Sequence, residues 1–318
     1  MKRIICLVGA TASGKTGVGI ELAKLLNAEV VSADSIQVYK GLNIGSAKPT
    51  FSEMQGIPHH LLDVVEICEA SFSVSEYRKL ASEAIDDIIA RNKVPLVVGG
   101  TGLYINSLTF PLNFAQVKAD WDLRSELLEK EQAEPYILHR MLEEVDPISA
   151  ERLHKNDTKR VLRALEVYYL SGKPLSEHGN SFQNPAGEEV EYSPIIFGLT
   201  MPRELLYERI NIRVDQMLTS GLIDEVKGIL CYGIDPNLPA LQGIGYKQLI
   251  AHYLGYGEET IEETIELIKR ETRRFAKRQT TWFKRDSRIN WIDVTQYESE
   301  AAIARDIAEK IKVKTEET

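Results

Sequence analysis

The sequence predicts an α/β fold, a parallel sheet flanked by helices and interrupted by an all-helical insertion. Three observations carry this expectation. Short apolar runs alternate with amphipathic helical stretches, which implies parallel pairing through helical crossovers. A glycine-rich loop, Gly9–Thr16, separates the first apolar run from the first helical stretch. From about Asp120 to Leu170 the pattern is helical and highly charged, with no convincing strand.

Arg3–Val8 reads as a short buried strand, followed by the Gly9–Thr16 loop. From Thr16 to Asn27, Val18, Leu22 and Leu25 recur at helical spacing. Glu29–Ser32 is a second strand. Ser75–Arg91 is an amphipathic helix with Tyr77, Leu80, Ala84, Ile85 and Ile88 on its apolar side, and Val94–Val98 is a third strand ended by Gly99-Gly100. In the middle, one helix begins with Leu123, Leu127 and Leu128. A second carries Ile137, Leu138, Met141 and Leu142, and a third Val161, Leu162, Leu165 and Tyr169. His178–Glu191, rich in Gly, Asn, Pro and Glu, reads as a loop returning to the core. Ile195–Leu199 and Ile289–Val294 are the last strand candidates and complete the same sheet. The expected division is 1–115 for the first part of the core, 116–180 for the helical insertion, and 181–318 for the second part with a basic C-terminal helix.

The chain has 318 residues, 43% hydrophobic and 27% charged, which excludes disordered, collagen-like and coiled-coil chains. Met1-Lys2-Arg3 with Ile4–Val8 mimics the start of a signal peptide, but the apolar run is too short and ends in the loop. No stretch approaches the ~18 apolar residues of a membrane helix. Cys6, Cys68 and Cys231 lie far apart and include no CxxC pair, so neither a zinc site nor a disulfide framework is expected; a reduced, cytoplasmic setting is. The net charge of −9, taken whole, argues against a nucleic-acid partner.

Gly9-Ala10-Thr11-Ala12-Ser13-Gly14-Lys15-Thr16 fits the P-loop pattern G-x-x-x-x-G-K-[ST], with the required strand before it and helix after it. Backbone N–H groups around such a loop face phosphate oxygens, and the helix N-terminus adds positive potential. Lys15 would neutralise the terminal phosphates and the Thr16 hydroxyl would ligate Mg²⁺. The fold expected is therefore P-loop NTPase-like. Val30-Val31-Ser32-Ala33-Asp34 and Leu61-Leu62-Asp63 are the candidates for an Mg²⁺-binding strand end, and neither has the usual four apolar residues. A plain NTPase is thereby a weaker reading.

In a parallel sheet the site lies at the carboxyl ends of the strands. Three strands deliver residues there: Gly9–Thr16, then Ser32-Ala33-Asp34-Ser35, then Gly99-Gly100-Thr101-Gly102. Asp34 could hold Mg²⁺ through water, accept a proton from an attacking group, or cap the segment that follows. In the helix Arg203–Ser220, Arg213 sits inside a stripe of Leu206, Ile210 and Met217. A cation on such a face needs a partner, either a pyrophosphate or an acid such as Asp215 or Glu225. His59 and His60, adjacent in an extended segment, point to opposite faces and read as structural, with room for one contact to substrate.

Lys269–Arg288 holds nine basic side chains against Glu271 and Asp286, a net of +7 in a −9 chain. Ile265, Ile268, Thr272, Phe275, Gln279 and Trp282 recur at helical spacing and turn one face inward. A charge run is usually a solvated face, but this asymmetry favours a nucleic-acid backbone. Lys155, Lys159, Arg160 and Arg163 add to it from the helical middle.

Nearly end to end, the chain resembles the bacterial tRNA dimethylallyltransferase (tRNA isopentenyltransferase) family. The matching stretches are GATASGKT at Gly9–Thr16, SADSIQVYK at Ser32–Lys40, GSAKPT at Gly45–Thr50, GIPHHLLD at Gly56–Asp63 and GGTGLY at Gly99–Tyr104. NDTKRVLRALE at Asn156–Glu166, Arg209–Met217, GIGYK at Gly243–Lys247 and TRRFAKRQTTWF at Thr272–Phe283 continue the match. The departures are small: Ala10 for a frequent Pro, Ser46 for the usual Thr, and Ile36 at a varied position.

The resemblance implies transfer of a dimethylallyl group from dimethylallyl diphosphate to the N6 amine of the adenosine 3′-adjacent to the anticodon of tRNA. Gly9, Ala10, Thr11, Ala12, Ser13, Gly14, Lys15 and Thr16 would hold the diphosphate, Thr16 with Mg²⁺. Asp34 would be the general base, while Arg213 and Lys15 stabilise the leaving group. Thr101 would lie where base and donor meet, and Ser35, Ile36 and Gln37 would contact the flipped base. Arg124, Lys159, Arg160, Val161, Leu162 and Arg163 in the insertion would contact the anticodon stem-loop. Gln242, Gly243, Tyr246 and Lys247, with Arg274, Lys277 and Arg278, would contact it from the C-terminal part. A monomer acting without a membrane is expected. Two rivals, a small-molecule kinase and a transferase acting on free adenine nucleotides, leave the basic segment or the insertion without a purpose. A non-catalytic RNA-binding module leaves the P-loop without one.

Overall fold

In a computed structural model, which describes residues 2–69, 72–111, 117, 119–178, 191–258 and 260–316, six parallel strands form one sheet. They are β1 (Lys2–Gly9), β2 (Ala28–Ser32), β3 (His59–His60), β4 (Val94–Gly99), β5 (Tyr192–Thr200) and β6 (Asn290–Asp293), in the order β3-β2-β4-β1-β5-β6. The register Val8↔Gly99 and Gly9↔Leu199 sets the phosphate loop level with the ends of both neighbours of β1. All five strands expected from apolar runs are present. β3 is the addition: it has two residues, both histidine, so no apolar run announces it, and it exists by pairing Val30↔His59 on β2.

Both faces of the sheet are covered, as its parallel character requires. On one face α1 (Lys15–Leu26) and the C-terminal helix pack through Val18, Leu22, Ile303 and Ile307. On the other, α3 (Val74–Ala90) and α4 (Gly102–Thr109) pack through Tyr77, Ile85, Tyr104 and Ile105, after a short α2 (Phe51–Met54). The buried stripe of α3 is Tyr77, Ala81, Ile85 and Ile88; the expected members Leu80 and Ala84 lie half-buried at its margins. α3 starts on a capping box, Ser73 with Glu76.

The chain divides into two compact units, Met1–Thr109 with Val190–Thr318, and Phe110–Glu189. The expected boundaries 115/116 and 180/181, and residues 179–190 of the expected His178–Glu191 loop, lie outside the described residues. Within the second unit are α5 (Trp121–Ala133), α6 (Ile137–Val145), α7 (Pro147–Arg152) and α8 (Thr158–Ser171). Leu127, Leu138, Leu142, Val161, Leu162 and Leu165 form its core. α7 escapes a periodicity reading because it is one and a half turns long, and Asp146 starts it by accepting the Ser149 N–H at 3.0 Å.

In the first unit, α9 (Arg203–Thr219), α10 (Leu222–Cys231), α11 (Tyr246–Tyr253) and α12 (Ile261–Phe283) precede α13 (Glu300–Glu316). α9 to α12 make a further core with Val38, Tyr39 and Leu42, through Val214, Val226, Leu249 and Ile268. This packing fixes the segment after β2 that carries Asp34.

Candidate active site

The phosphate loop curls through left-handed backbone at Ala12 (φ 61°) and Gly14 (φ 92°) and then enters α1, whose N-terminus no side chain caps. A Cβ on Gly9 would lie 2.9 Å from the Leu199 carbonyl oxygen, so only glycine lets the loop leave β1 against β5. Lys15 Nζ donates to the Ala10 carbonyl at 2.6 Å across the loop. The Ser13 hydroxyl is buried with no hydrogen-bond partner among the described residues. An orphaned donor beside uncapped N–H groups fits an anion that satisfies both.

Three charged groups meet here. Burial pushes Lys15 down to about 7; the Arg213 charge adds to that and the Asp34 carboxylate opposes it. Arg213 is likewise held below its usual value by burial, with Asp34 and Glu53 opposing. Two partly desolvated cations facing one carboxylate leave excess positive charge for a ligand. Neither acid expected as an alternative partner takes Arg213. Asp215 binds Lys269 at 2.8 Å, and Glu225 accepts the N–H groups of Asn43, Ile44 and Gly45.

Asp34 does cap its segment: Oδ1 accepts the Ile36 and Gln37 N–H groups at 2.9 and 3.3 Å. Oδ2 has no hydrogen bond among the described residues. The cap reading and the proton-acceptor reading are thus compatible, because one oxygen orients the group and the other is available. Thr101 Oγ1 accepts the Ser35 N–H at 3.1 Å, and the Thr101 N–H donates to Ala33 O at 3.1 Å. A Cβ on Gly99 would lie 2.1 Å from that same Ala33 oxygen, so the ends of β2 and β4 approach to backbone contact.

A cavity of about 350 Å³ opens beside the loop, walled by Gly9, Ala10, Ser13, Leu199, Leu206 and Trp291. Lys15, Asp34, Thr101 and Arg213 do not line it. Arg203, Lys277 and Lys284 also line it, so the cavity beside the loop carries basic side chains.

The expected RNA-facing residues fall into two sets. Lys159 and Arg160 are exposed on α8, as are Gln242, Lys247, Arg274, Lys277 and Arg278 in the first unit. Arg160 pairs with Asp157 at 3.4 Å and Arg274 with Glu271 at 2.7 Å. Gln242 donates to Pro236 O at 3.1 Å. Arg270, Lys277, Arg278, Lys284 and Arg285 have no acidic partner among the described residues, whereas Lys269 pairs with Asp215 and Arg288 with Asp286.

The second set has partners or packing within the fold. Val161 and Leu162 are core residues of the helical unit and offer RNA no side chain. Tyr246 is fully buried, its hydroxyl donating to Glu225 Oε1 at 2.6 Å. Arg124 and Arg163 both neutralise Glu166, a completely buried carboxylate that would otherwise be costly. Gln37 donates to Ser46 O and Ala47 O and accepts from the Ser32 hydroxyl, so its amide shapes the loop. Ile36 is half-buried, and a Cβ on Gly243 would lie 3.2 Å from its Cδ1. His60 Nε2 lies 2.7 Å from Glu29 Oε2, near the amino end of β2.

Sequence reasoning missed Glu225, which gathers three backbone N–H groups of the 43–45 turn and the Tyr246 hydroxyl onto one carboxylate. It also missed the task of Gln279. Its signal was legible, a glutamine on the inward face of a basic helix.

Comparison with known proteins is consistent along the whole chain. The family model described as IPP transferase matches residues 37–286. The tRNA dimethylallyltransferase of Desulforudis audaxviator is 49% identical over 312 residues, 97% of each chain. That of Clostridioides difficile is 49% identical over 316 residues, 98% of this chain and 99% of the other. The crystal structure of the full-length tRNA isopentenylpyrophosphate transferase of Bacillus halodurans superposes with a TM-score of 0.72 at 40% identity, covering 99% of both chains. A eukaryotic dimethylallyltransferase acting on tRNA gives a TM-score of 0.81 at 30% identity, covering 99% of this chain and 80% of that one.

Proposed function

The chain belongs to the IPP transferase family, and on that premise we propose that it transfers a dimethylallyl group from dimethylallyl diphosphate to the N6 amine of the adenosine 3′-adjacent to the anticodon in tRNA. The observation that carries the reading is Asp34, with one free carboxylate oxygen, facing Lys15 and Arg213 at the mouth of an uncapped phosphate loop.

The diphosphate lies in Gly9–Thr16, its charge offset by Lys15, Arg213 and backbone N–H groups. The target base leaves its stack to reach the end of the sheet. The N6 lone pair attacks C1 of the donor; the C1–O bond breaks and its electron pair leaves with the diphosphate. N6 is a weak nucleophile because its lone pair is delocalised into the ring. Asp34 accepts the N6 proton through Oδ2, while Ile36 and Gln37 hold Oδ1. Thr101 keeps the Asp34 segment in register with β4.

The described residues contain no cluster of three or more His, Cys, Asp or Glu side chains suited to a metal. The exposed Thr16 hydroxyl and the substrate's own oxygens are hard donors, which suits an ion held mainly by substrate and water. Mg²⁺ held by Thr16 would supply charge neutralisation on the departing diphosphate. Lys159, Arg160, Lys247, Lys277 and Arg278 contact the tRNA backbone in this reading. With it go a monomeric state and a cytoplasmic setting for the free thiols; no described helix is long and apolar enough to cross a membrane.

The test is incubation with Mg²⁺, labelled dimethylallyl diphosphate, and either tRNA or AMP. Label in tRNA alone without ATP consumption is expected. Label in AMP, or hydrolysis of ATP, overturns the reading.

A further inference from the structure

α12 sends one buried polar side chain, Gln279, into the phosphate loop. Its Oε1 accepts the Thr11 N–H at 2.9 Å, and its Nε2 donates to the Gly100 carbonyl at 2.9 Å. The amide orientation is forced. Turned over, it would set NH₂ against an N–H and oxygen against a carbonyl. One planar group thus ties the loop after β1 to the end of β4, bridging residues far apart in the chain. A Cβ on Gly100 would lie 2.4 Å from Gln279 Nε2, so a side chain there would displace the amide from this position. One turn earlier, Ala276 seats the same helix on the loop by packing with Ala10 and Ile210.

A phosphate loop binds well when its N–H groups already converge, because the ordering cost is then met in folding and not in binding. Thr11 adjoins Ala12, the residue held in left-handed backbone. Fixing the Thr11 N–H therefore fixes the entry to the strained turn. The loop makes few other polar contacts with the rest of the protein: Lys15 bonds within it, and the Ser13 hydroxyl has no partner among the described residues.

We propose that Gln279 is a positioning residue that holds the phosphate loop in its diphosphate-binding shape. The proposal rests on the reading of that loop as a diphosphate site. Gln279 touches no substrate in this arrangement; it acts through Thr11.

The experiment compares the unsubstituted protein with Gln279→Leu and Gln279→Glu. It reads the Kd of inorganic pyrophosphate, the donor KM and kcat, the tRNA Kd and Tm. Gln279→Leu should raise the pyrophosphate Kd and donor KM about tenfold, the scale of one buried donor left unpaired, while tRNA Kd and kcat at saturating donor change little. Gln279→Glu keeps the acceptor for Thr11 and regains a donor to Gly100 only when protonated. Its pyrophosphate Kd, relative to the unsubstituted protein at the same pH, should recover as pH falls. A folded variant with unchanged pyrophosphate Kd overturns the role. So does a uniform loss of both ligands that tracks Tm and shows no recovery with pH. If the unsubstituted protein binds no pyrophosphate, the functional reading falls and this role with it.

Discussion

Thr101 Oγ1 accepts the Ser35 backbone N–H at 3.1 Å, so a side chain at the end of β4 holds the residue next to Asp34. Asp34, the proposed general base, is thereby positioned by a neighbouring strand as well as by its own segment. Thr101→Val keeps the shape and removes the acceptor. It should lower kcat about tenfold, as expected for one lost hydrogen bond at an oriented group, and leave the donor KM near its original value. Thr101→Ser should restore most of the rate. Single-turnover kinetics check both.

Asp34→Asn keeps an oxygen for the Ile36 and Gln37 N–H groups and removes the proton acceptor. Turnover should fall by roughly 10²–10⁴, the usual worth of a positioned general base, with tRNA affinity unchanged. Near-normal single-turnover rates would remove Asp34 from that role.

Lys15 is held down to about 7 by burial, then by the Arg213 charge, against the opposing pull of Asp34. Its folded value lies below the ordinary lysine value of 10.5, so between those limits the unfolded chain binds more protons. This group's contribution to stability should therefore rise with pH from about 7 towards 10.5; below that window the cost of a buried cation is fully present. Bound diphosphate favours the charged form, so binding above pH ~7 should take up a proton. Titration calorimetry in buffers of different ionisation enthalpy reads that proton, and Lys15→Met should abolish the uptake.

Arg213 lacks any ion pair among the described residues and shares its field with Lys15 and Asp34. Arg213→Ala should raise the donor KM by roughly tenfold to a hundredfold, the range for hydrogen bonds to a charged partner, and leave the tRNA Kd close to its starting value. The reverse pattern in steady-state and binding measurements would assign Arg213 to RNA.

Lys277 and Arg278 are exposed on α12 without an acidic partner among the described residues. Replacing both with Ala should reduce the slope of log K against log salt for tRNA by about 1.5–2, close to one unit per phosphate contact. An unchanged slope would return them to a solvated face.

The five longer strands, the phosphate loop and the basic helix were legible in the sequence because each rests on local rules: apolar runs, glycine where backbone must turn, and charge against apolar spacing. The same rules could not show that the side chains of Val161, Leu162 and Tyr246 are buried. Membership in a motif says nothing of burial, which packing alone sets. They also could not say which basic residues are free. Arg124 and Arg163 look like Lys159 in the sequence, yet both answer the buried charge of Glu166, which only the folded helices bring to them. Gln279 and Glu225 make the point most directly. Their partners lie 179 and 268 residues away for Gln279, and 180–182 residues away for the backbone N–H groups on Glu225. Composition and spacing determined that the chain carries a P-loop pattern after its first strand and a basic face. Which carboxylate is free to take a proton, and which amide holds the loop, is decided by tertiary packing, because a buried polar group is defined by the partner that satisfies it.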